Sequence, residues 1–274
     1  MFYINGKPYD NDGYAFTKYY DGTPLMRCRV DETKDAYDIT WCYDGDEEIV
    51  RLIFLVKHLK EHGIKNIRLY MPYIPNARYD RVKKPDEVFT LKYFAQIING
   101  LGFEKVTALD PHSGVSEALL DNFTAISPDE KIRYAIGRIG GEDQTPLVLF
   151  FPDEGAAKRY ADLANTFGFP YVYAMKQRDW RTGKIQGLTL LGETEKVKGK
   201  NVLIIDDICS RGGTFYHSAK LLKDNLVKDV YLYVSHCENT VLEGDLPGSG
   251  LIKKIYTTDS IYRKEHPMIE VIPV

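Results

Sequence analysis

The stretch Asn201 to Thr214, NVLIIDDICSRGGT, constrains the rest of this chain more than any other. Val202 to Ile205 is an apolar, largely β-branched run with no polar interruption, the pattern of a strand covered on both faces in a parallel sheet. Asp206 and Asp207 stand at its carboxyl end. Ser210, Arg211, Gly212, Gly213 and Thr214 then form a polar glycine loop, and a helical pattern follows with Phe215, Ala219 and Leu222 on one face. Strand, acidic pair, glycine loop and helix succeed one another without a break.

That order has a physical use. A helix begins with unpaired backbone N–H groups and a partial positive charge, so a phosphate is held there without dedicated basic side chains. Glycines let the backbone come close, and adjacent carboxylates can accept hydrogen bonds from ribose hydroxyls or hold Mg²⁺. The loop therefore reads as a sugar-phosphate cradle, weighed against ordinary Asp-Asp and Gly-Gly turn chemistry. No G-x-x-x-x-G-K-[ST] occurs here, which excludes a P-loop at this position.

A chain of 274 residues, 44% hydrophobic and 27% charged, can bury one large core or two modest ones. The net charge of -3, with Lys and Arg scattered rather than massed, gives no field that would draw the molecule to nucleic acid. No apolar run reaches the ~18 residues of a membrane span, and MFYINGKPYDNDG lacks the basic-then-apolar order of a signal peptide. The expectation is a cytoplasmic protein with no membrane or nucleic-acid partner. Cys28, Cys42, Cys209 and Cys237 are far apart and show no C-x-x-C pairing, so they read as reduced thiols rather than a zinc site or disulfide framework. Cys209, inside the glycine loop, reads as small filler.

Along the chain, short strands and turns surround Tyr19 to Gly22, and Ile39 to Tyr43 is a strand. Glu47 to His62 carries Ile49, Leu52, Ile53, Val56 and Leu59 at helical spacing, with Gly63 where a C-terminal glycine belongs. Ile67 to Met71, a helix through Leu91, Phe94, Ala95 and Ile98 closing near Gly100, and Val106 to Leu109 continue in βαβ order, which implies a parallel sheet. The second half repeats this with strand Leu147 to Phe151, a helix through Tyr160, Leu163, Ala164 and Phe167 to Gly168, and strand Tyr171 to Ala174. Val230 to Ser235 and Ile269 to Ile272 supply later strands. Ser127 to Asp129 is turn-forming, so the domains are placed at 1–128 and 129–274.

Four further segments leave strand ends, where open α/β sheets bind ligands. Pro72 to Arg81, PYIPNARYDR, is basic; Ala108 to Gly114, ALDPHSG, carries Asp110 and His112; Pro152 to Arg159, PDEGAAKR, places Asp153 and Gly155 at a helix start; and Met175 to Lys184, MKQRDWRTGK, is a cationic stretch that reads as a mobile loop. Each has a blander reading: a solvated basic loop, a structural histidine, a plain N-cap or a solvated charge run.

Taken in order, these segments and the Asp206 to Thr214 loop resemble the ribose-phosphate pyrophosphokinase (phosphoribosyl diphosphate synthase) family, of which this chain is identified as a short and divergent member. The resemblance implies an α/β fold of two phosphoribosyltransferase-like, Rossmann-like domains, each with a mainly parallel sheet flanked by helices. It implies contact with ATP by Arg78 and Tyr79, the latter in place of the family's glutamine, and by Tyr19, Asp21, Gly22 and Thr23, Thr23 replacing a glutamate. His112, Asp110 and Asp153 become the Mg²⁺ site, with Pro111 for the family's leucine. Lys176 and Arg178, with His112, become catalytic. Asp206, Asp207, Ser210, Arg211, Gly212, Gly213 and Thr214 become the ribose-phosphate site, with Ser210 and Arg211 where the family has Asp-Thr. The chain ends at Val274, shorter than typical members, so C-terminal parts that serve assembly and allosteric control are expected to be missing; a homo-oligomer is still implied.

The reaction so implied is Mg²⁺-dependent transfer of the β,γ-diphosphoryl group of ATP to the C1 hydroxyl of ribose 5-phosphate, giving phosphoribosyl diphosphate and AMP. Arg211 admits a second acceptor, ADP-ribose, because a guanidinium beside the loop would meet a second phosphate. Two rivals are a transferase that consumes phosphoribosyl diphosphate, which explains only the Asp206 to Thr214 loop, and a non-catalytic regulatory relative. Retention of His112, Asp153, Lys176, Arg178, Asp206 and Asp207 argues against the latter.

Overall fold

Short apolar runs alternating with amphipathic helices build two sheets, each in its own part of the chain. The computed structural model describes residues 1–9, 14–142, 144–178, 185–192 and 194–274, and the chain divides into two compact units, Met1–Ser127 and Pro128–Val274.

In the first unit the described elements are β1 (Phe2–Ile4), β2 (Lys7–Pro8), β3 (Tyr14–Lys18), β4 (Pro24–Cys28), β5 (Ala36–Trp41), α1 (Glu47–Glu61), β6 (Asn66–Tyr70), α2 (Thr90–Gly100), β7 (Lys105–Leu109), α3 (Gly114–Leu119) and β8 (Phe123–Ile126). The sheet runs β2-β1-β5-β6-β7-β8, with β3 and β4 as a separate ribbon. From β5 to β8 every pairing is parallel, while β1 joins both its neighbours antiparallel. α1 forms because Leu52, Leu55, Val56 and Leu59 fall on one face and are buried, with Glu47 and Glu48 in the first turn and Lys60 in the last, as the helix dipole favours. It stops at Gly63, whose φ of 81 lets its N–H reach Lys60 O at 3.0 Å while the Ile64 N–H reaches Leu59 O at 3.1 Å. Leu91, Phe94, Ala95 and Ile98 of α2 meet the same core as Ile39, Ile67, Leu69 and Val106 of the sheet. Full burial of each of the larger of these side chains stabilises by roughly 1.5–3 kcal/mol.

The second unit contains α4 (Asp129–Glu142), β9 (Leu147–Phe151), α5 (Glu154–Phe167), β10 (Tyr171–Arg178), β11 (Ile185–Gly192), β12 (Asn201–Cys209), α6 (Gly213–Asp224), β13 (Val230–Cys237), β14 (Lys254–Thr258) and β15 (Ile269–Ile272). Its sheet runs β11-β10-β9-β12-β13-β14-β15. All pairings are parallel except β10 with β11. Val202 and Ile204 pack on the α6 side with Phe215, Ala219 and Leu222. Leu203 and Ile205 pack on the opposite side with Tyr160, Leu163 and Ala164 of α5 and Ile132 of α4. Both faces of the central strand are covered, which is why it reads as an unbroken apolar run.

Two strand limits differ from the sequence reading. β12 does not end at Ile205 but runs to Cys209, because β13 continues beside it as far as the pairing of Cys209 with Cys237. β10 does not end at Ala174 but runs to Arg178, because Ile185 to Gly192 supplies an antiparallel partner that the sequence reading assigned to no element. Charged residues are tolerated on such an edge, where they discourage further strand pairing. The loop expected from Met175 onward therefore begins as a strand; residues 179–184 lie outside the described residues.

Candidate active site

In the second unit β9 leads to β10 on one side and the chain then returns to β12 on the other, so the topological switch point falls between β9 and β12. Pairing of β12 with β9 ends at Ile204 opposite Phe150. Asp206 and Asp207 thus extend beyond the end of β9, where the neighbouring chain is no longer strand but the Pro152–Asp153 turn into α5. Asp153 is the N-cap of α5, and its Oδ1 accepts from the Ala156 N–H at 3.1 Å. A Cβ on Gly155 would lie 3.2 Å from that same oxygen, so the turn has little room for a side chain there.

The acidic pair is not symmetric. The Asp207 N–H donates to Asp206 Oδ1 at 3.0 Å. Asp207 is buried, and its Oδ1 lies 3.1 Å from Nη1 of Arg159 on α5. Burial raises the Asp206 carboxyl well above the usual carboxylate range, with Asp207 and, more weakly, Asp153 adding to the shift. Asp153 and Asp206 thus bear on one place, a strongly acidic one.

The glycine loop follows. Gly212 is the N-cap of α6 with φ 79, a conformation other residues adopt only with strain, and no side chain caps the helix. A Cβ at Gly212 would also sit 3.0 Å from Leu246 Cδ2. The start of α6 is therefore open backbone N–H, with Gly213 and Thr214 exposed. Arg211 is exposed, and its Nη2 donates to the Glu243 carbonyl at 3.3 Å. Ser210 is half-buried, between Arg211 and Cys209. Cys209 is fully buried, and its thiol is raised by a hydrogen bond with Cys237 and by burial.

β10 outruns β9 in the same direction: its last pairing with β9 is Tyr173 opposite Phe151, after which only β11 accompanies it. The backbone of Lys176 and Arg178 belongs to this two-stranded arm, opposite Leu188 and Ile185; their side chains lie outside the described residues.

In the first unit the Pro72–Arg81 and Asp110–Ser113 segments leave the carboxyl ends of adjacent strands, β6 and β7. Asp110 is buried with φ 43, an uncommon conformation for a residue other than glycine, and its N–H donates to Ile126 O at 2.9 Å. His112 is half-buried two residues on. Arg78 is exposed, whereas Tyr79 is half-buried. Partial burial and a hydrogen bond to Glu87 push the Tyr79 phenol up to about 12. Glu87 also accepts from the Lys83 and Lys84 N–H groups at 2.7 and 3.1 Å, so one carboxylate organises this loop. Tyr19, Asp21, Gly22 and Thr23 belong to the turn of the β3–β4 ribbon, not to a strand end of the larger sheet. There Asp21 Oδ1 accepts from the Thr23 N–H and hydroxyl at 2.9 and 2.7 Å, and these bonds lower its carboxyl.

Two features escaped the sequence reading. Arg159 ends the segment PDEGAAKR, and only the burial of Asp207 beside it gives it a role. Gly244, in the turn after β13, approaches the Arg211 backbone with no local sequence signal at all.

A strand-end glycine loop opening a helix, an acidic pair and an aspartate-capped helix start at one switch point mark an α/β domain suited to sugar phosphates, and the phosphoribosyl transferase domain model matches residues 125–255. The ribose-phosphate pyrophosphokinase of Thermococcus kodakarensis is 31% identical over 219 residues, covering 80% of this chain and 75% of that protein. That of Bacillus subtilis is 30% identical over 265 residues, covering 93% and 80%. The crystal structure of phosphoribosylpyrophosphate synthetase from Mycobacterium smegmatis shares the fold at a TM-score of 0.77 and 18% identity, over 95% of this chain and 85% of that one. The chain belongs to the ribose-phosphate pyrophosphokinase family and is an enzyme of the diphosphotransferase class.

Proposed function

We propose that this protein transfers the β,γ-diphosphoryl group of ATP to the C1 hydroxyl of ribose 5-phosphate. The C1 oxygen forms a bond to the β-phosphorus, the bond from that phosphorus to the α,β-bridging oxygen breaks, the hydroxyl proton is lost to solvent, and AMP leaves. The observation that carries this reading is the extension of Asp206 and Asp207 beyond β9, beside the open N-terminus of α6. There α6 would take the 5-phosphate through Gly213 and Thr214, and the acidic pair the ribose hydroxyls. Arg78 and Tyr79, with the Tyr19–Thr23 turn, would hold ATP. Lys176 and Arg178 would neutralise charge on the transferred group.

The donor chemistry fits Mg²⁺. Among the described residues no group of three or more His, Cys, Asp or Glu side chains is arranged to hold a metal. Mg²⁺ is bound through one or two carboxylates plus substrate phosphates and keeps several waters, so few protein ligands are needed: we propose Asp153 in the second unit and, separately, Asp110 and His112 in the first. When bound, the ion would offset phosphate charge. Among the described residues no helix is long and apolar enough to cross a membrane, and we place the enzyme in the cytoplasm with its soluble substrates.

One observation favours a second acceptor. The bond to Glu243 O uses one of the five N–H donors of exposed Arg211, and its guanidinium lies beside the loop as a cation that a phosphate monoester does not require. ADP-ribose, a diphosphate ester with the same free C1 hydroxyl, would use it. Mass spectrometry of products from ATP with each acceptor tests both readings: AMP and the matching 1-diphosphate support them, and ADP or base-dependent release of diphosphate contradicts them. Arg211→Thr should lower kcat/KM for ADP-ribose by about 1.5 to 3 kcal/mol, the worth of a charge-assisted bond, and for ribose 5-phosphate by less; equal losses refute the second-phosphate role.

A further inference from the structure

We propose that Arg159 is a positioning residue for the sugar-phosphate acceptor, acting through Asp207; the inference rests on the function proposed above. The Asp207 side chain is only 5% exposed, and a carboxylate that deep is costly unless a cation or several donors face it. Arg159 faces it, with Nη1 3.1 Å from Asp207 Oδ1 and a side chain 26% exposed on α5.

The ion pair sits on one side of the sheet. Leu203 and Ile205 pack against Tyr160 on the α5 side of the sheet, and Asp207, two residues further along the strand, meets Arg159 of that helix. Asp206 accepts the Asp207 N–H, and its carboxyl is hydrogen-bonded to that of Asp207. With Asp207 held by the guanidinium, the Asp206 carboxyl bonded to it is held as well. Arg159 lies on the flank of the helix that Asp153 caps, and α5 is itself held by Ala156, Tyr160, Leu163 and Ala164 in the core. Loss of Arg159 should let the pair reorient and weaken the grip on ribose hydroxyls, with the ATP side little affected.

Kinetics of Arg159→Met and Arg159→Lys, with calorimetric titration of ribose 5-phosphate into each and into the unmodified protein, test this. The expected result for Arg159→Met is an acceptor KM and Kd raised about tenfold or more, because removing the cation leaves a buried carboxylate uncompensated, with the KM for ATP within about twofold and partial restoration of the acceptor Kd by methylguanidinium. Arg159→Lys should recover only part of the loss, because an ammonium cannot reproduce the planar fork. Should Arg159→Met fail to fold, Arg159→Lys decides by itself: weakened acceptor binding supports the role and unchanged binding overturns it. Equal rises in both KM values, or no rise in either, overturn it as well. An unmodified protein that binds ribose 5-phosphate but releases no AMP refutes the proposed function and leaves Arg159 to be judged by acceptor binding. One that binds no ribose 5-phosphate ester overturns both.

Discussion

Gly244 and Arg211, far apart in the chain, are pressed together so closely that a Cβ added to Gly244 would lie 1.9 Å from the Arg211 carbonyl oxygen. The turn after β13 is therefore a brace for the phosphate loop. Leu246 fills the space beside Gly212, and Glu243 O receives the Arg211 guanidinium. The close partner is backbone, which cannot swing aside as a long side chain could.

Gly244→Ala is accordingly expected to displace Arg211 and cost at least about 1 to 3 kcal/mol of stability, the range for overpacking a tight site. Acceptor KM should rise more than ATP KM, since the brace serves the phosphate loop. Urea unfolding and steady-state kinetics on the same variant check this. A variant as stable as the unmodified protein, with unchanged acceptor KM, would show that the loop is held by other contacts.

Asp153 has two separable tasks. As N-cap it satisfies the Ala156 N–H, and as a carboxylate it would ligate Mg²⁺. Asparagine caps about as well as aspartate but is a poorer ligand, while alanine does neither and loses about 1 kcal/mol of helix stability. Asp153→Asn should melt near the unmodified protein yet need more Mg²⁺ for half-maximal activity, and Asp153→Ala should show both defects. An unaltered Mg²⁺ titration for the asparagine variant would remove Asp153 from the metal site.

Much of this was legible in the sequence because period and punctuation agree. Leu147 to Phe151 and Ile269 to Ile272 are strands over those residues, and α1 and α5 end where glycine permits a left-handed residue. Strand length was less legible. β12 and β10 run past their apolar cores because a neighbouring strand continues alongside, and pairing is a long-range fact that local hydrophobicity does not carry. α3, α4, β8, β11 and β14 were passed over; α4 buries only Ile132, Ala135 and Ile139 and carries three glycines in DEKIRYAIGRIGGE, which weakens its helical signal. In the site, the acidic pair and glycine loop were visible as a motif. The contact of Asp207 with Arg159 was not, because it depends on which helix packs on which face.

The acidic pair also predicts a pH dependence. Burial raises the Asp206 carboxyl above its unfolded range, so the native state holds a proton that the unfolded chain has released, and stability falls as pH rises from the ordinary carboxylate range through the raised one. In the ligand-free, metal-free protein Asp206→Asn should therefore be more stable at neutral pH than the unmodified chain, and should melt with less pH dependence. It should also bind ribose 5-phosphate far more weakly. Calorimetric melts across acidic to neutral pH in the presence of a chelator measure this; a neutral-pH midpoint below that of the unmodified protein would contradict the assignment of Asp206 as a strained, functional carboxylate.

The transfer itself is tested most directly by following the β-phosphorus. With ATP radiolabelled at that position and ribose 5-phosphate as acceptor, the account predicts that all transferred label appears in the sugar 1-diphosphate and that the nucleotide product is unlabelled AMP, formed in equal amount. Label in ADP would mean that only the γ-phosphoryl group moves, and label in free diphosphate would mean hydrolysis; either result contradicts diphosphoryl transfer to the C1 hydroxyl.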